Sequence, residues 1–514
     1  ANASFAADLA AGKWETTDGA SDLAYEIPHT FVEADIFTLK FAQSADTLWI
    51  VHPTYQPIKL TRSAHTTWTN TTYAPTANPF NGADKFPGAV GFFEERLMFA
   101  GTNNKPHTFW GSVSGDYDDL TIAAGDDAAF EYAIAAGRMD RIHWIQGLDA
   151  LLMGGVGGPW RVSSSSGAGA ITPTNISVKK QGSIGVKNLA PEVVGDTLLW
   201  VSRSGTSVRK SGYDYTSDRW ASSDLMRVSK HIAFGSSATL SGIVDMDYQA
   251  EPVPILWCVR ADGQILGMTF EAEEEVFAWF RQPTTGSFKS VAVIGEENAE
   301  DQVWVVAERS VDGSTVKYIE YFVPQNFYSV LADCFFVHAG LTFDGGDAEN
   351  ITGISNADPA VVTVGTWLTD GDGTNLGNGD EVRIIDCVGM TEVNLGRTKA
   401  YTVANVNVGA KTFELSGITS VGWGTWTSGG TAQKVTKTPS DIEHLEGEEV
   451  VALLDGAVQT PNPTVGSGTV TLSSYANKIH LGLGYSSIVE PMKPFISGAS
   501  GTTRGKKQKI SGLV

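Results

Sequence analysis

No apolar run in this 514-residue chain approaches the ~18 residues that a membrane-crossing helix needs, and no basic n-region followed by an apolar h-region opens it. No membrane span is expected. Cysteine is scarce. Cys258, Cys334 and Cys387 are widely separated and make no C-x-x-C pair, which argues against a disulfide framework or a zinc cluster and leaves them as core thiols. Positive charge is short as well: 36 Lys and Arg against 58 Asp and Glu give a net charge of −22, which repels phosphate backbones and anionic lipid and disfavours stable DNA binding. Charged residues make up only 18%, too few for long charged helices, whereas 56 glycines and 14 tryptophans suit tight turns and aromatic strands. With 42% hydrophobic content the chain can bury substantial cores, and its length suggests roughly three domains. The expected class is all-β. The first residue is Ala1 and the last stretch, "KKQKISGLV", stops inside an apparent strand, so the polypeptide is expected to continue beyond both ends.

What the chain has instead is a repeated pair of apolar runs joined by a short polar corner. Six segments fit: "LKFAQSADTLWIVHP", "AVGFFEERLMFAGT", "IHWIQGLDALLMGGV", "PEVVGDTLLWVSRSG", "MDYQAEPVPILWCVRADG" and "VAVIGEENAEDQVWVVAERSVDG". Their second runs are anchored at Leu48, Leu97, Leu151, Leu198, Leu256 and Val303, spaced 47 to 58 residues apart. A period near ~50 residues with several short strands per unit marks a β-propeller, whose blades bury their faces only against one another. Asp262-Gly263 and Asp312-Gly313 add hairpin turns with φ > 0. An irregularly spaced β-sandwich is the alternative. In the propeller reading, Glu94, Glu95 and Arg96 form a solvated hairpin corner, as do Asp46, Asp149, Asp196, Glu251, and Glu296 with Glu297 in the other units. Equivalent hairpins emerge on one side of the ring, so one face is expected to gather acid from every blade, although Asp and Glu also favour solvated corners in general.

Residues 1–25 read as the end of an upstream β segment, 26–330 as propeller blades and 331–349 as a connector. Residues 350–437 read as an inserted small β-barrel or sandwich, with β-branched runs such as "VVTV", "EVRIID" and "TFELSGI". Residues 438–514 read as a C-terminal β domain with a hairpin at Asp455-Gly456.

Chemistry-bearing motifs are sparse. In "DGDGTNLGNGDE", Asp370, Asp372, Asn378 and Glu381 take the first, third, ninth and twelfth places of a calcium-loop template. Thr374 at the fifth place and Asn375 at the sixth, where the template needs Gly, spoil the match and favour an ordinary acidic loop. No G-x-S-x-G elbow, P-loop or H-E-x-x-H occurs, and the serines of "GSVSG" at 111–115 are misplaced for a nucleophile. The nine histidines are scattered singly, and one such as His143 reads as a satisfied strand residue. Acid pairs such as Glu94/Glu95 and "EAEEE" at 271–275 are poor candidates for a glycosidase pair, because neighbours on a strand point to opposite faces. The one basic cluster, Arg504, Lys506, Lys507 and Lys509, reads as a solvated strand end. No catalytic, cofactor-binding or metal residue is therefore assigned, and the chain is not expected to be an enzyme.

Several stretches resemble the tail nozzle proteins of short-tailed bacteriophages, the tail tubular protein B-like group. They are "LKFAQSADTLWIVHPTYQPIKLTR", "FPGAVGFFEERLMFAGTNNKPHTFWGSVSGDYDD", "GGPWRVSS", "ITPTNISVKKQGSIG" and "DMDYQAEPVPILWCVRADGQILGMTF", spread over most of residues 25 to 325. The stretch from "ITGISNADPAVVTV" through "NGDEVRIIDCVGMTEVNLGRTKAYTVANVNVGAKTFELSGI" is similar to the first catalytic cysteine half-domain of ubiquitin-activating enzymes, a module that recurs as an insertion in phage tail proteins. The resemblance implies a virion protein: a homohexameric tube docked beneath the head-to-tail adaptor ring, neighbouring tail fibres or tailspikes, through which duplex DNA passes in transit during ejection. It implies no ubiquitin chemistry. The insertion departs from the family in length, so the resemblance does not assign its role, for which a mount for fibres and a host-surface contact are the alternatives. The rival reading is a glycan-binding or glycan-cleaving propeller.

Overall fold

The computed structural model describes residues 27–64, 66–135, 140–166, 169–295, 299–324, 327 and 329–488, with backbone alone at 497–498 and 501–502. Two compact units divide the chain: residues 1–310 with 315–322, and residues 311–314 with 323–514.

Among the described residues the first unit is a propeller of six antiparallel sheets, each running from its first strand outward. Blade 1 comprises Lys40–Ser44, Thr47–His52, Tyr55–Ala64 and Thr67–Thr72; blade 2 comprises Ala89–Phe93, Arg96–Ala100, Thr108–Gly111 and Phe130–Ala133. Blade 3 comprises Ile142–Gly147, Leu151–Gly155, Gly158–Ser164 and Ile176–Lys180; blade 4 comprises Glu192–Val194, Thr197–Val201, Val208–Asp214 and Arg219–Asp224. Blade 5 comprises Ile243–Gln249, Ile255–Arg260, Ile265–Glu271 and Val276–Gln282, and blade 6 has Ser287–Ile294, Gln302–Val311 and Ser314–Tyr321.

All six sequence anchors, Leu48, Leu97, Leu151, Leu198, Leu256 and Val303, fall on the second strand of their blade. The reason is burial from both sides. A strand's side chains alternate between faces, so a strand packed on both reads as a continuous apolar run. In blade 2, Leu97 and Phe99 pack with Trp49 and Val51 of blade 1, while Met98 faces Ile145, Leu151 and Met153 of blade 3. Leu152 then faces Leu198 and Trp200 of blade 4, Leu199 and Val201 face Leu256 and Cys258 of blade 5, and Trp257 and Val259 face Phe288, Val303 and Val305 of blade 6. Gly154 is a glycine by necessity, since a Cβ there would sit 2.1 Å from the Trp144 ring.

Two local expectations need correction. Arg96 is not part of the solvated corner: it opens the second strand of blade 2 and is only 3% exposed. Its guanidinium donates to the carbonyl oxygens of Ser112, Ala128 and Asp126 at 2.6, 2.7 and 2.7 Å and lies 5.6 Å from the Phe130 ring. A planar group with five donors satisfies three carbonyls that strand pairing leaves over, which is why a charge is tolerated there. At Asp262-Gly263 only Gly263 has positive φ, at 86°; the Asp262 carboxylate instead accepts from Arg260 at 2.6 and 2.7 Å. Asp312-Gly313 and Asp455-Gly456 do have φ > 0 at both residues.

In the second unit, Glu349–Ile354, Val361–Val364, Thr412–Leu415, Tyr401–Asn407, Glu381–Val388 and Ser428–Val435 close, in that order, into a barrel. Val362, Leu376, Val382, Ile384, Val403, Phe413 and Ala432 fill it. Of the two forms expected for the insertion, the barrel is the one present. A separate sheet runs His338–Asp344, Lys478–Leu483, Val451–Leu454, Ala457–Val458. His338–Asp344 lies within the expected connector, but it is a strand of this C-terminal sheet: its partner Lys478–Leu483 follows the whole barrel, so no local hairpin pattern betrays it.

The Arg96 geometry predicts that Arg96→Met lowers propeller stability by roughly 2–4 kcal/mol by stranding buried carbonyls, whereas Glu95→Gln shifts it by less than about 0.5 kcal/mol. Denaturant midpoints of the two variants check this.

Candidate functional site: the hairpin face and the propeller axis

The hairpins joining first and second strands all leave the inner strands at the same end. The corner acids Asp46, Glu94, Glu95, Asp149, Asp196 and Glu251 are exposed there. Glu94 and Glu95 sit at φ 47° and 59°, both left-handed, whereas in the blade 1 corner only Ala45, at 48°, has positive φ; two-residue hairpin turns use both patterns. A shallow depression on this face is lined by Gln43 and Ser44 of blade 1, Phe92 to Glu95 of blade 2, and Gly147 and Leu148 of blade 3, so successive hairpins are neighbours. One acid also ties blade 2 to blade 3, since Glu94 Oε2 accepts from the Ile171 amide at 2.6 Å. Glu296 and Glu297, expected at the sixth corner, lie outside the described residues.

The opposite ends of the inner strands carry a second polar group. Lys40 opens the inner strand of blade 1 and is 8% exposed; desolvation lowers its pKa to about 8 against the opposing pull of Asp245 on blade 5. Glu192 opens the inner strand of blade 4, and desolvation, reinforced by Asp247 and Asp245, raises it to about 8. His143 on blade 3 is lowered to about 4 by desolvation, with Arg141 and Lys40 adding repulsion, so it is neutral at pH 7. Asp245 and Asp247 are raised by burial. Both lash blade 5 to blade 6: Asp245 Oδ2 accepts from Ser290 Oγ at 2.6 Å and the Val291 amide at 3.1 Å, and Asp247 Oδ2 from the Val293 amide at 2.7 Å. These groups interact across blades because inner strands meet at the axis. Charge is sorted there, with Lys40 and Arg141 on blades 1 and 3 and the carboxylates on blades 4 and 5.

Sequence reading missed this axial group. Its signal is a charge at the start of a first strand, in "LKFA", "PEVV" and "VDMDYQ", which only alignment of inner strands exposes.

The remaining candidates are dispersed. Asp370 accepts from the Thr374 amide at 2.7 Å and from Lys434 Nζ at 3.3 Å, Asn378 from the Val406 amide at 3.0 Å, and Glu381 from the Tyr475 hydroxyl at 3.1 Å, while Asp372 is exposed. The four do not converge, and among the described residues no group of three or more His, Cys, Asp or Glu side chains is arranged to hold a metal. Ser112 of "GSVSG" receives the Leu97 amide at 3.0 Å and donates to the Val113 carbonyl at 2.9 Å. Residues 272–275 of "EAEEE" are exposed in the turn between the last two strands of blade 5. Cys258, Cys334 and Cys387 are buried free thiols. Arg504, Lys506, Lys507 and Lys509 lie outside the described residues.

The sequence matches no family model and no curated protein. Among solved structures, the β-propeller domain of Cps50 (Swd1) from Myceliophteria thermophila is similar at 8% identity, over 55% of this chain and 82% of that one, with a TM-score of 0.33. The periplasmic gluconolactonase PpgL of Pseudomonas aeruginosa is similar at 9% identity over 56% and 88%, TM-score 0.33. YCF48 bound to D1 peptide is similar at 14% identity over 57% and 84%, TM-score 0.34. The propeller here is defined by its own sheet order and interblade clusters.

The axial group sets the pH dependence. The folded state holds the Glu192 proton more tightly than an ordinary carboxyl of pKa 4.5, so this group favours folding below about pH 4.5 and loses that contribution as pH rises to about 8. Lys40 acts in the other window, its penalty full below about pH 8 and relieved as pH rises toward 10.5. Glu192→Gln is therefore expected to raise the melting temperature by about 2–4 °C at pH 8 and to leave it unchanged at pH 4, measured by thermal scans across that range.

Proposed function

We propose that the chain is a structural component of a short-tailed phage tail, a subunit of the nozzle through which genomic DNA is ejected, docked beneath the head-to-tail adaptor ring. The observation that carries this reading is the face of exposed hairpin carboxylates, Asp46, Glu94, Glu95, Asp149, Asp196 and Glu251. Five blades each bring acid to it, without a lysine or arginine at the described corners. The stretches that resemble the nozzle family include three of these hairpins, those at Asp46, Glu94-Glu95 and Glu251. A wall of like sign does not release counterions from passing DNA and so does not hold it. Six copies of a chain at −22 would give such a conduit a strongly repulsive field.

Light scattering and negative-stain imaging of the purified protein test the assembly, with a six-fold ring as the expected particle. A monomer that degrades capsular polysaccharide would instead support a glycan-cleaving propeller and overturn the reading. The ring is further expected to show no measurable affinity for duplex DNA near physiological salt, by anisotropy. Micromolar binding would refute a non-adhesive wall.

A further inference from the structure

The end of the axis that carries Lys40 holds a buried positive charge without a partner. Lys40 is only 8% exposed, and among the described residues no hydrogen bond or ion pair reaches its Nζ. A buried ammonium left in that state is strongly destabilising. Its register, opposite Val51, places it with Ala42 on the face of blade 1 that packs against blade 2, away from the face where Phe41 is 55% exposed.

The next two blades add no counter-charge. The inner strand of blade 2, Ala89–Phe93, has no acid. On blade 3 the inner strand is bulged: Trp144 lies opposite Gly154 and Ile142 opposite Gly155, so His143 between them has no counterpart on the second strand. A bulge re-aims its extra side chain. Ile142 and Ile145 already fill the cluster with blade 2, and Trp144 the cluster with blade 4, which leaves the axis for His143. Its imidazole makes no hydrogen bond among the described residues, and the charges of Arg141 and Lys40 both act on it. Arg141 is fixed in place by donation from Nη2 to the Gly101 carbonyl at 3.1 Å and to Asn103 Oδ1 at 2.7 Å. His52 is already engaged, accepting from the Thr54 amide at Nδ1, 3.2 Å away, with Nε2 2.8 Å from Thr38 Oγ1.

The acids nearby are committed elsewhere. Asp245 is the carboxylate whose charge reaches Lys40, yet it forms no ion pair with it and accepts instead from Ser290, Val291 and the Met246 amide. Asp247 accepts from the Val293 and Tyr248 amides, each at 2.7 Å. Asp140, which also acts on His143, accepts from the Gly157 amide at 2.6 Å and the Trp160 indole at 3.1 Å. Glu192, raised to about 8, is mostly protonated near pH 7.

We propose that this end of the propeller axis binds a small tetrahedral oxyanion, held by Lys40 Nζ and the His143 imidazole, with Arg141 supplying a second positive charge. Inorganic phosphate is the simplest such ion. Its several oxygens can accept from donors on blades 1 and 3 at once, across the acid-free inner strand of blade 2. The burial of Lys40 suits a free ion and not the backbone of a nucleic acid.

Equilibrium dialysis of the full chain against inorganic phosphate near pH 7, with ionic strength held constant by chloride, tests the site. One phosphate per chain is the expected result, together with a higher melting temperature in phosphate than in chloride. Lys40→Met is expected to weaken binding by about tenfold or more and to abolish the phosphate-dependent rise in melting temperature. His143→Ala is expected to weaken binding by a smaller factor, and it decides the matter alongside the unmutated chain should Lys40→Met fail to fold. No phosphate bound at millimolar concentration, or binding that the folded variants leave unchanged, would overturn the proposal. Short duplex DNA is expected not to displace the ion; displacement would show an exposed phosphate-binding surface in place of a buried site.

Discussion

A sheet that is apolar on both faces is unstable in water until both faces are covered, and this constraint organises the first unit. Each second strand of blades 2 to 5 sends alternate residues to the two neighbouring blades: Leu97 and Phe99 one way and Met98 the other, Leu198 and Trp200 one way and Leu199 and Val201 the other. No blade owns its core. The interblade clusters also explain the composition, since bulky Trp and Phe fill the widening space between radiating sheets and a glycine such as Gly154 makes room where a ring lies flat against backbone.

Polar groups occupy the places that this apolar packing cannot reach. Where second strands meet loops, buried arginines gather carbonyl and carboxylate oxygens: Arg96 on three backbone carbonyls, Arg260 on Asp262 and the Ile232 carbonyl at 2.6 Å, and Arg309 on Glu320 at 2.7 and 2.6 Å. At the axis, where inner strands converge and no apolar side chain could be shared by all, Asp245 and Asp247 bind the backbone of the neighbouring inner strand instead. Those hydrogen bonds favour the charged carboxylates while desolvation opposes them, and desolvation prevails.

How much of this was legible follows from which interactions are local. Second strands buried on both faces produce apolar runs that stand out at a regular spacing, so the six blades could be read directly. The Asp455-Gly456 corner declares itself by turn chemistry, and Glu94-Glu95 by charge placed between two apolar runs. Arg96 did not, because an arginine beside two glutamates looks solvated until the three carbonyls it serves are known. The axial charges were missed for a related reason: Lys40, Glu192 and Asp245 come from separate blades and meet only after the ring forms. His338–Asp344 was hidden by an intervening module, and the carboxylates at Asp370 and Glu381 had the right spacing but were committed to different partners.

The barrel's ends have a practical consequence. Its first and last strands lie side by side, with Glu349 opposite Ala432 and Asn350 opposite Thr431. A single side chain, Asn477, donates to the carbonyls of Gly346 at 3.0 Å and Lys434 at 2.9 Å, stapling the inbound and outbound chain to the host sheet. The chain therefore enters and leaves the module through two adjacent threads, while Tyr475 and Asp455 of the host also meet Glu381 and Arg383 of the barrel. A cassette whose own termini sit one strand apart, such as a fluorescent reporter, suits this doorway once partners are supplied for Tyr475 and Asp455, which lose Glu381 and Arg383 with the barrel.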